Sequence, residues 1–150
     1  MTRSRTILMA WAAGVSLALA GIAVAAGTEV ADRQAAMKQV GQEMKEAGAF
    51  NSASTPYDAA KVKTLMDTIA ADARKLKGLY PPDTASDPKT AADPKIWQDK
   101  ADFEKRLDQM GALALSVEKA KDSDSFKTAF GTLGATCKSC HDVYRMKKKS

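Results

Sequence analysis

The chain has 150 residues, 45% of them hydrophobic and 27% charged, with 23 Lys and Arg against 18 Asp and Glu. That length allows one domain with a targeting segment rather than two domains, and nine Gly with five Pro are too few for a collagenous or linker-like chain. Two cysteines cannot supply a multi-disulfide scaffold or a four-cysteine zinc site, and one histidine excludes a multi-histidine metal centre.

Residues 1–26 read as a secretory signal peptide. Arg3 and Arg5 form a short positive start, residues 7–24 carry no charge, and Val24, Ala25 and Ala26 supply the small residues that a signal peptidase requires. Cleavage is expected after Ala26 or one residue earlier. The start is not a twin-arginine pair, which favours the general secretory route. The alternative is a retained membrane helix, since a span needs about 20 apolar residues. The small-residue end runs at once into polar, helix-forming sequence, and this favours cleavage. Residues 27–150 are then the mature domain, expected in the periplasm and without a membrane span. The leader removes two arginines and no acid. The modest positive excess left behind does not argue for nucleic acid, which calls for a clustered basic face. In an oxidising compartment two free thiols would tend to be oxidised, so the cysteines must have some fate.

Val30, Met37 and Met44 recur every seven residues, with Val40 and Ala47 at the alternate steps. This spacing predicts an amphipathic helix over residues 29–47, with Gly48 placed to end it. Thr55-Pro56-Tyr57-Asp58 is a helix start: Thr55 can cap, Pro56 fits the first turn and Asp58 sits where a capping-box acid would. Val62, Leu65, Ile69, Ala73 and Leu76 give the second helix its apolar face, and Pro81-Pro82 stops it. Residues 81–93 read as a loop. Asp93-Pro94 repeats the cap-plus-proline start, and Trp97, Phe103, Leu107, Met110, Ala114 and Val117 predict one long third helix. Asp122-Ser123-Asp124-Ser125 offers several caps for a fourth, whose apolar residues include Phe126, Phe130 and Leu133. No stretch of β-branched alternation argues for a sheet. The predicted fold is all-α, an antiparallel four-helix bundle.

Cys137-Lys138-Ser139-Cys140-His141 is Cys-x-x-Cys-His, the attachment pattern for c-type haem. At about 100° per helical residue, Cys137, Cys140 and His141 fall within roughly a 100° arc. Both thiols can reach the vinyl groups of one porphyrin and form thioethers, and the adjacent imidazole can bind the iron. Both cysteines of the mature chain and its one histidine lie within five consecutive positions. A thioredoxin-like pair would need a strand–helix context, and a zinc site would lack an obvious fourth cysteine or histidine. A local disulfide is the remaining alternative. The cofactor is expected to be one haem c, bound through two thioethers.

The sequence resembles the class II c-type cytochromes, that is, the cytochrome c-prime family and its low-spin relatives of the cytochrome c-556 type. The matching segments are Arg33-Gln-Ala-Ala-Met37, Thr55-Pro56-Tyr57-Asp58, Pro94-Lys-Ile-Trp97 with Phe103, and Cys137-Lys-Ser-Cys-His141-Asp-Val-Tyr144-Arg145. The resemblance implies a bundle with haem lodged among the helices, His141 as the proximal ligand and Met37 on the distal side of the iron. It implies that Arg33 approaches a haem propionate, that Gln34 lies at the haem edge, and that Arg145 shares the face of His141. On spacing alone Met37 is a core residue. Arg33 falls on the apolar seam of its helix, where a cation wants an anionic partner or snorkels to the seam edge. A methionine ligand would give a low-spin, one-electron carrier. Without it, the iron would be five-coordinate and high-spin, suited to binding or scavenging nitric oxide or carbon monoxide. Nothing in the sequence suggests a catalytic acid–base pair or nucleophile, so no enzyme activity is expected. The expected partners are redox proteins. Lys147-Lys148-Lys149 could steer an acidic one, or be a solvated tail that complements the helix dipole. The chain is expected to be a monomer or a homodimer.

Overall fold

The computed structural model describes residues 28–52 and 55–147. The expected signal peptide, residues 1–26, lies outside the described residues, as do Lys148 and Lys149. Four long helices dominate: α1 (Thr28–Gly48), α2 (Ala59–Lys77), α4 (Lys100–Glu118) and α5 (Ser123–Tyr144). A one-turn helix, α3 (Lys95–Gln98), precedes α4, and 3-10 turns occupy Ala49–Asn51 and Pro82–Thr84. The architecture is a four-helix bundle. Among the described residues there is no strand, only an isolated antiparallel bridge between Ala92 and Arg145. No described helix is long and apolar enough to cross a membrane.

Local signals place the helix ends, and in two cases they differ from the sequence expectation. The cap of α2 is Asp58, whose side chain accepts from the Lys61 amide at 3.0 Å; Thr55 and Pro56 lie before the helix. An Asx cap three residues before its donor satisfies an orphan amide directly, so the nearer acid wins over the threonine. The expected long third helix is broken at Asp99, which leaves helical geometry (φ −132°, ψ 66°) and accepts from the Asp102 amide at 3.1 Å. Asp99 thereby caps α4, and α3 becomes a separate turn. For α5 the expectation holds: Asp122 and Ser125 form a reciprocal capping box, with the Ser125 amide donating to Asp122 Oδ1 at 2.8 Å.

The core is built from the predicted seams. Val62, Met66, Ile69, Leu76, Leu107, Val117, Phe126 and Leu133 are almost wholly buried. The α2 and α4 helices pack most extensively, because their contact is lined with small residues. A Cβ on Gly111 would meet the Ala73 Cβ at 3.5 Å. Aromatic side chains close the two ends. Phe126 stacks on Phe130 (5.1 Å between centroids) and meets Phe50 and Tyr57 edge-on or tilted. At the other end Phe103 lies between Tyr80 (4.7 Å) and Tyr144 (5.3 Å). The α1 helix packs on α2 and α5 packs on α4, but α1 and α5 form no comparable interface. One side of the bundle is therefore open.

Phe126 is completely buried in the first aromatic cluster. Phe126→Ala is expected to lower the unfolding free energy by about 3–5 kcal/mol, and Asp122→Ala by about 1 kcal/mol through loss of the cap, both measured by chemical denaturation.

Candidate functional site

The open side of the bundle holds the chemistry-bearing residues. Cys137, Cys140 and His141 lie in the last two turns of α5, with both cysteines half-buried and His141 exposed. Cys137 and Cys140 are not bonded to each other. Burial pushes both thiols above their ordinary values. The His141 imidazole is pushed down, first by desolvation and then by the neighbouring Arg145, with Asp142 opposing. All three are thus held in their neutral forms, and neutral imidazole is the form that ligates iron.

Two cavities run along the gap between α1 and α5. One, of about 390 Å³, is lined by Met37, Ile96, Phe103, Tyr144 and the polar side chains of Arg33 and Gln34, among others. The second, of about 270 Å³, is lined by Val40, Met44, Leu107, Met110 and Cys137, with Arg106 at its edge. Met37, Cys140 and His141 belong to both walls. Each cavity approaches or reaches the size of a cofactor site, and together they make one largely apolar slot centred on the histidine and the methionine. An apolar slot bordered by two thiols and an imidazole fits a covalently attached haem.

Cys137, Cys140, His141, Met37, Arg33 and Gln34 all touch the slot, but they differ in what they are free to do. Met37 is half-buried and faces it. Gln34 lines it, yet its amide is engaged with the Lys89 carbonyl at 2.7 Å. Arg33 is 3% exposed and does not snorkel. Its Nη1 donates to the Leu79 carbonyl (3.0 Å) and Thr84 Oγ1 (2.7 Å), and its Nη2 donates to the Thr84 carbonyl (3.3 Å) and Thr90 Oγ1 (2.6 Å). A guanidinium has five N–H donors, so only Nε–H is left for a ligand in the slot. The Arg33 guanidinium also lies 4.8 Å from the Tyr80 ring and 5.7 Å from the Trp97 ring. Arg33 is a clasp that ties α1 to the loop after α2, and that loop supplies Ala91 and Ala92 to the wall.

Sequence reasoning missed three features of this wall. Tyr80 is buried beneath Arg33, and burial drives its phenol up to about 12, with Arg33 pulling the other way. Tyr144, given no role from the sequence, donates its hydroxyl to Asp102 Oδ2 at 2.7 Å, and Arg106 Nε donates to the same oxygen at 2.6 Å. The i,i+4 spacing of Asp102 and Arg106 was a visible signal; the tyrosine on a different helix was not. Third, the chain beyond α5 is stitched to the wall loop. The Met146 amide donates to the Ala91 carbonyl and the Asp93 amide to the Tyr144 carbonyl, both at 2.9 Å.

Comparison with known proteins bears on the family, the fold and the cofactor. The family model for cytochrome c' matches residues 28–145. Cytochrome c' from Rhodopseudomonas palustris is 38% identical over 137 residues, 91% of this chain and 94% of that protein. A cytochrome c-556 from Agrobacterium fabrum is 37% identical over 131 residues, 86% of this chain and 88% of its own length. The solved structure of cytochrome c' from Rhodopseudomonas palustris superposes with a TM-score of 0.76 at 38% identity, covering 81% of this chain and 98% of that one. The chain belongs to the cytochrome c' family of c-type haem proteins. Haem c is the covalent cofactor of the family, and residues 137–141 carry the matching attachment motif.

Replacing Arg33 by Met keeps the length of the side chain and removes four hydrogen bonds from a buried cation. Arg33→Met is expected to cost about 2–4 kcal/mol of stability and to expose the loop at residues 79–92 to proteolysis. Urea unfolding and limited digestion check both.

Proposed function

We propose that the protein is a periplasmic monohaem cytochrome that carries one electron at a time, with His141 and Met37 as the axial ligands. The observation that supports this most directly is the wall shared by the two cavities: Met37 from α1 and His141 from α5 border both. Haem iron, once bound, supplies the one-electron redox change. The chain's own residues do the rest. Cys137 and Cys140 tether the porphyrin edge to α5. His141, kept neutral, presents a nitrogen lone pair. A thioether at Met37 favours the reduced state and raises the potential. Phe103, Leu107, Met110 and Tyr144 exclude water from the slot, and Arg33 holds the loop that completes it.

Charge around the mouth supports exchange with an acidic protein partner. Lys38 and Arg145 line the larger cavity and are exposed, and Lys147 follows Arg145 in the chain. The exposed Lys89 adjoins this cavity through its backbone carbonyl, which accepts from Gln34. Among the described residues no ion pair engages any of these four, whereas Lys138 is neutralised by Asp142 at 2.6 Å. Unpaired cations around an electron-exchange site raise the encounter rate with anionic partners.

In this reading the reduced protein has a sharp low-spin visible spectrum that is insensitive to carbon monoxide. Met37→Ala is expected to convert it to a broad high-spin spectrum that shifts when the gas is added. A wild-type spectrum that is already high-spin and gas-sensitive would overturn electron transfer in favour of gas binding. Oxidation of the reduced protein by ferricyanide is expected to slow as salt is raised, and Lys38→Glu with Lys147→Glu is expected to flatten that dependence in stopped-flow measurements.

A further inference from the structure

At one end of the slot α1 is joined to α5 by packing. Phe50, in the turn that follows α1, meets Phe126 of α5 edge-on, with 6.2 Å between ring centroids. Toward the other end, where Met37 and His141 stand, the two helices form no comparable interface. There the connection runs through the loop between α2 and α3. On the α1 side, Arg33 donates to the Leu79 and Thr84 carbonyls and to the Thr84 and Thr90 hydroxyls, at distances between 2.6 and 3.3 Å. On the α5 side, the Met146 amide donates to the Ala91 carbonyl and the Asp93 amide to the Tyr144 carbonyl, with Ala92 and Arg145 paired between them. One hydroxyl links the two sets of bonds. Thr90 Oγ1 accepts from Arg33 and also from the Ala92 amide at 3.1 Å.

The anchors have the same relation to the two ligand candidates. Arg33 lies four residues before Met37, and Tyr144 and Arg145 lie three and four residues after His141. Each anchor is therefore about one turn, or roughly 6 Å along its helix, from the side chain that faces the slot. Arg33 and Tyr144 are both buried. Hydrogen bonds to buried groups are directional and costly to leave unmade, so this chain of contacts holds its ends at a set separation.

We infer that residues 79–93 are a strut that sets the spacing of α1 from α5 at the level of Met37 and His141, with Thr84, Thr90 and the Met146 amide as its positioning groups. The effect on the iron rests on the ligation proposed above; the spacing of the helices does not. The strut is in series: Arg33 holds one end and the Ala91–Met146 bond the other. Releasing either end leaves α1 placed only by α2 and by the distant aromatic cluster, and releasing both adds nothing further.

Two substitutions act on opposite ends and share no partner. Met146→Pro removes the amide that bonds Ala91. Arg145 is already extended (φ −114°, ψ 127°), the conformation that a residue before proline favours, so its backbone need not change. Thr84→Val removes the hydroxyl that accepts from Arg33 at 2.7 Å. In the reduced, haem-loaded protein, carbon monoxide binds at the rate at which Met37 leaves the iron. Each variant is expected to raise that rate about tenfold, the factor that the net worth of one hydrogen bond sets, and the double variant is expected to be no faster than either single. The shifts in unfolding midpoint are expected to add, as they do for separate sites. With both native cysteines bound to haem, nitroxides can be placed selectively on Ala35→Cys of α1 and Ala135→Cys of α5, both exposed. Pulsed electron spin resonance is expected to show a narrow α1–α5 distance distribution that broadens equally in the singles and the double. An unchanged distribution, or broadening and rates that accumulate in the double, would overturn the strut. A wild type that is high-spin and binds the gas at once, with a distribution that still broadens in the variants, would overturn the Met37 assignment alone.

Discussion

The structure turns on an interface that is not made. Of the four contacts around a four-helix bundle, three are filled: α1 on α2, α2 on α4, and α4 on α5. Between α1 and α5 the apolar side chains face a slot instead of each other. Apolar surface left facing a gap is unfavourable in a bundle that closes on itself. It becomes an asset when a flat, apolar cofactor fills the gap. A covalently tethered haem is such a filler, and the tether lies on α5, one of the two helices that need it.

Holding that slot open requires the other three interfaces to be stiff. The small-residue contact of Ala70, Ala73 and Gly111 lets α2 and α4 approach closely, and the aromatic clusters lock both ends. The α1 helix packs chiefly on α2 and also carries Met37. Polar groups compensate there. Arg33 reaches across to the loop at residues 79–90 through four hydrogen bonds. Polar clasps of this kind are directional, so they fix register more sharply than an apolar seam of small and flexible residues does. On the ligation proposed above, small displacements of this helix would decide the iron's sixth position, and α1 would be the element where coordination chemistry and fold stability meet.

Much of the fold could be read from the chain because its signals are local. Seven-residue spacing from Val30 to Met44, the Asp122 capping box and the apolar steps of α2 each act within one or two turns. The errors occurred where two local signals competed. Thr55-Pro56 and Asp58 both offered a start to α2, and the nearer side-chain acceptor prevailed. Asp93-Pro94 offered a start to one long third helix, and Asp99, which had not been singled out, interrupts it and caps α4. In the site, Cys137, Cys140 and His141 were legible because their chemistry depends on spacing within one helix. The network of Tyr144, Asp102 and Arg106 was not, because it joins side chains 42 residues apart.

By itself the sequence determined the class of the protein: five contiguous residues dictate covalent haem, and hydrophobic periodicity dictates helices. Those are properties of one turn or one face, set by covalent geometry and backbone hydrogen bonding. Tertiary structure alone decided how Arg33 is used. The sequence marked it as a seam cation in need of a partner, and the fold gave it four neutral oxygens and two aromatic rings in place of a carboxylate. It also decided that Met37 borders both halves of the slot. Such facts depend on where one helix stands against another, and that is fixed by the sum of many long-range contacts, none of which is written in a local pattern.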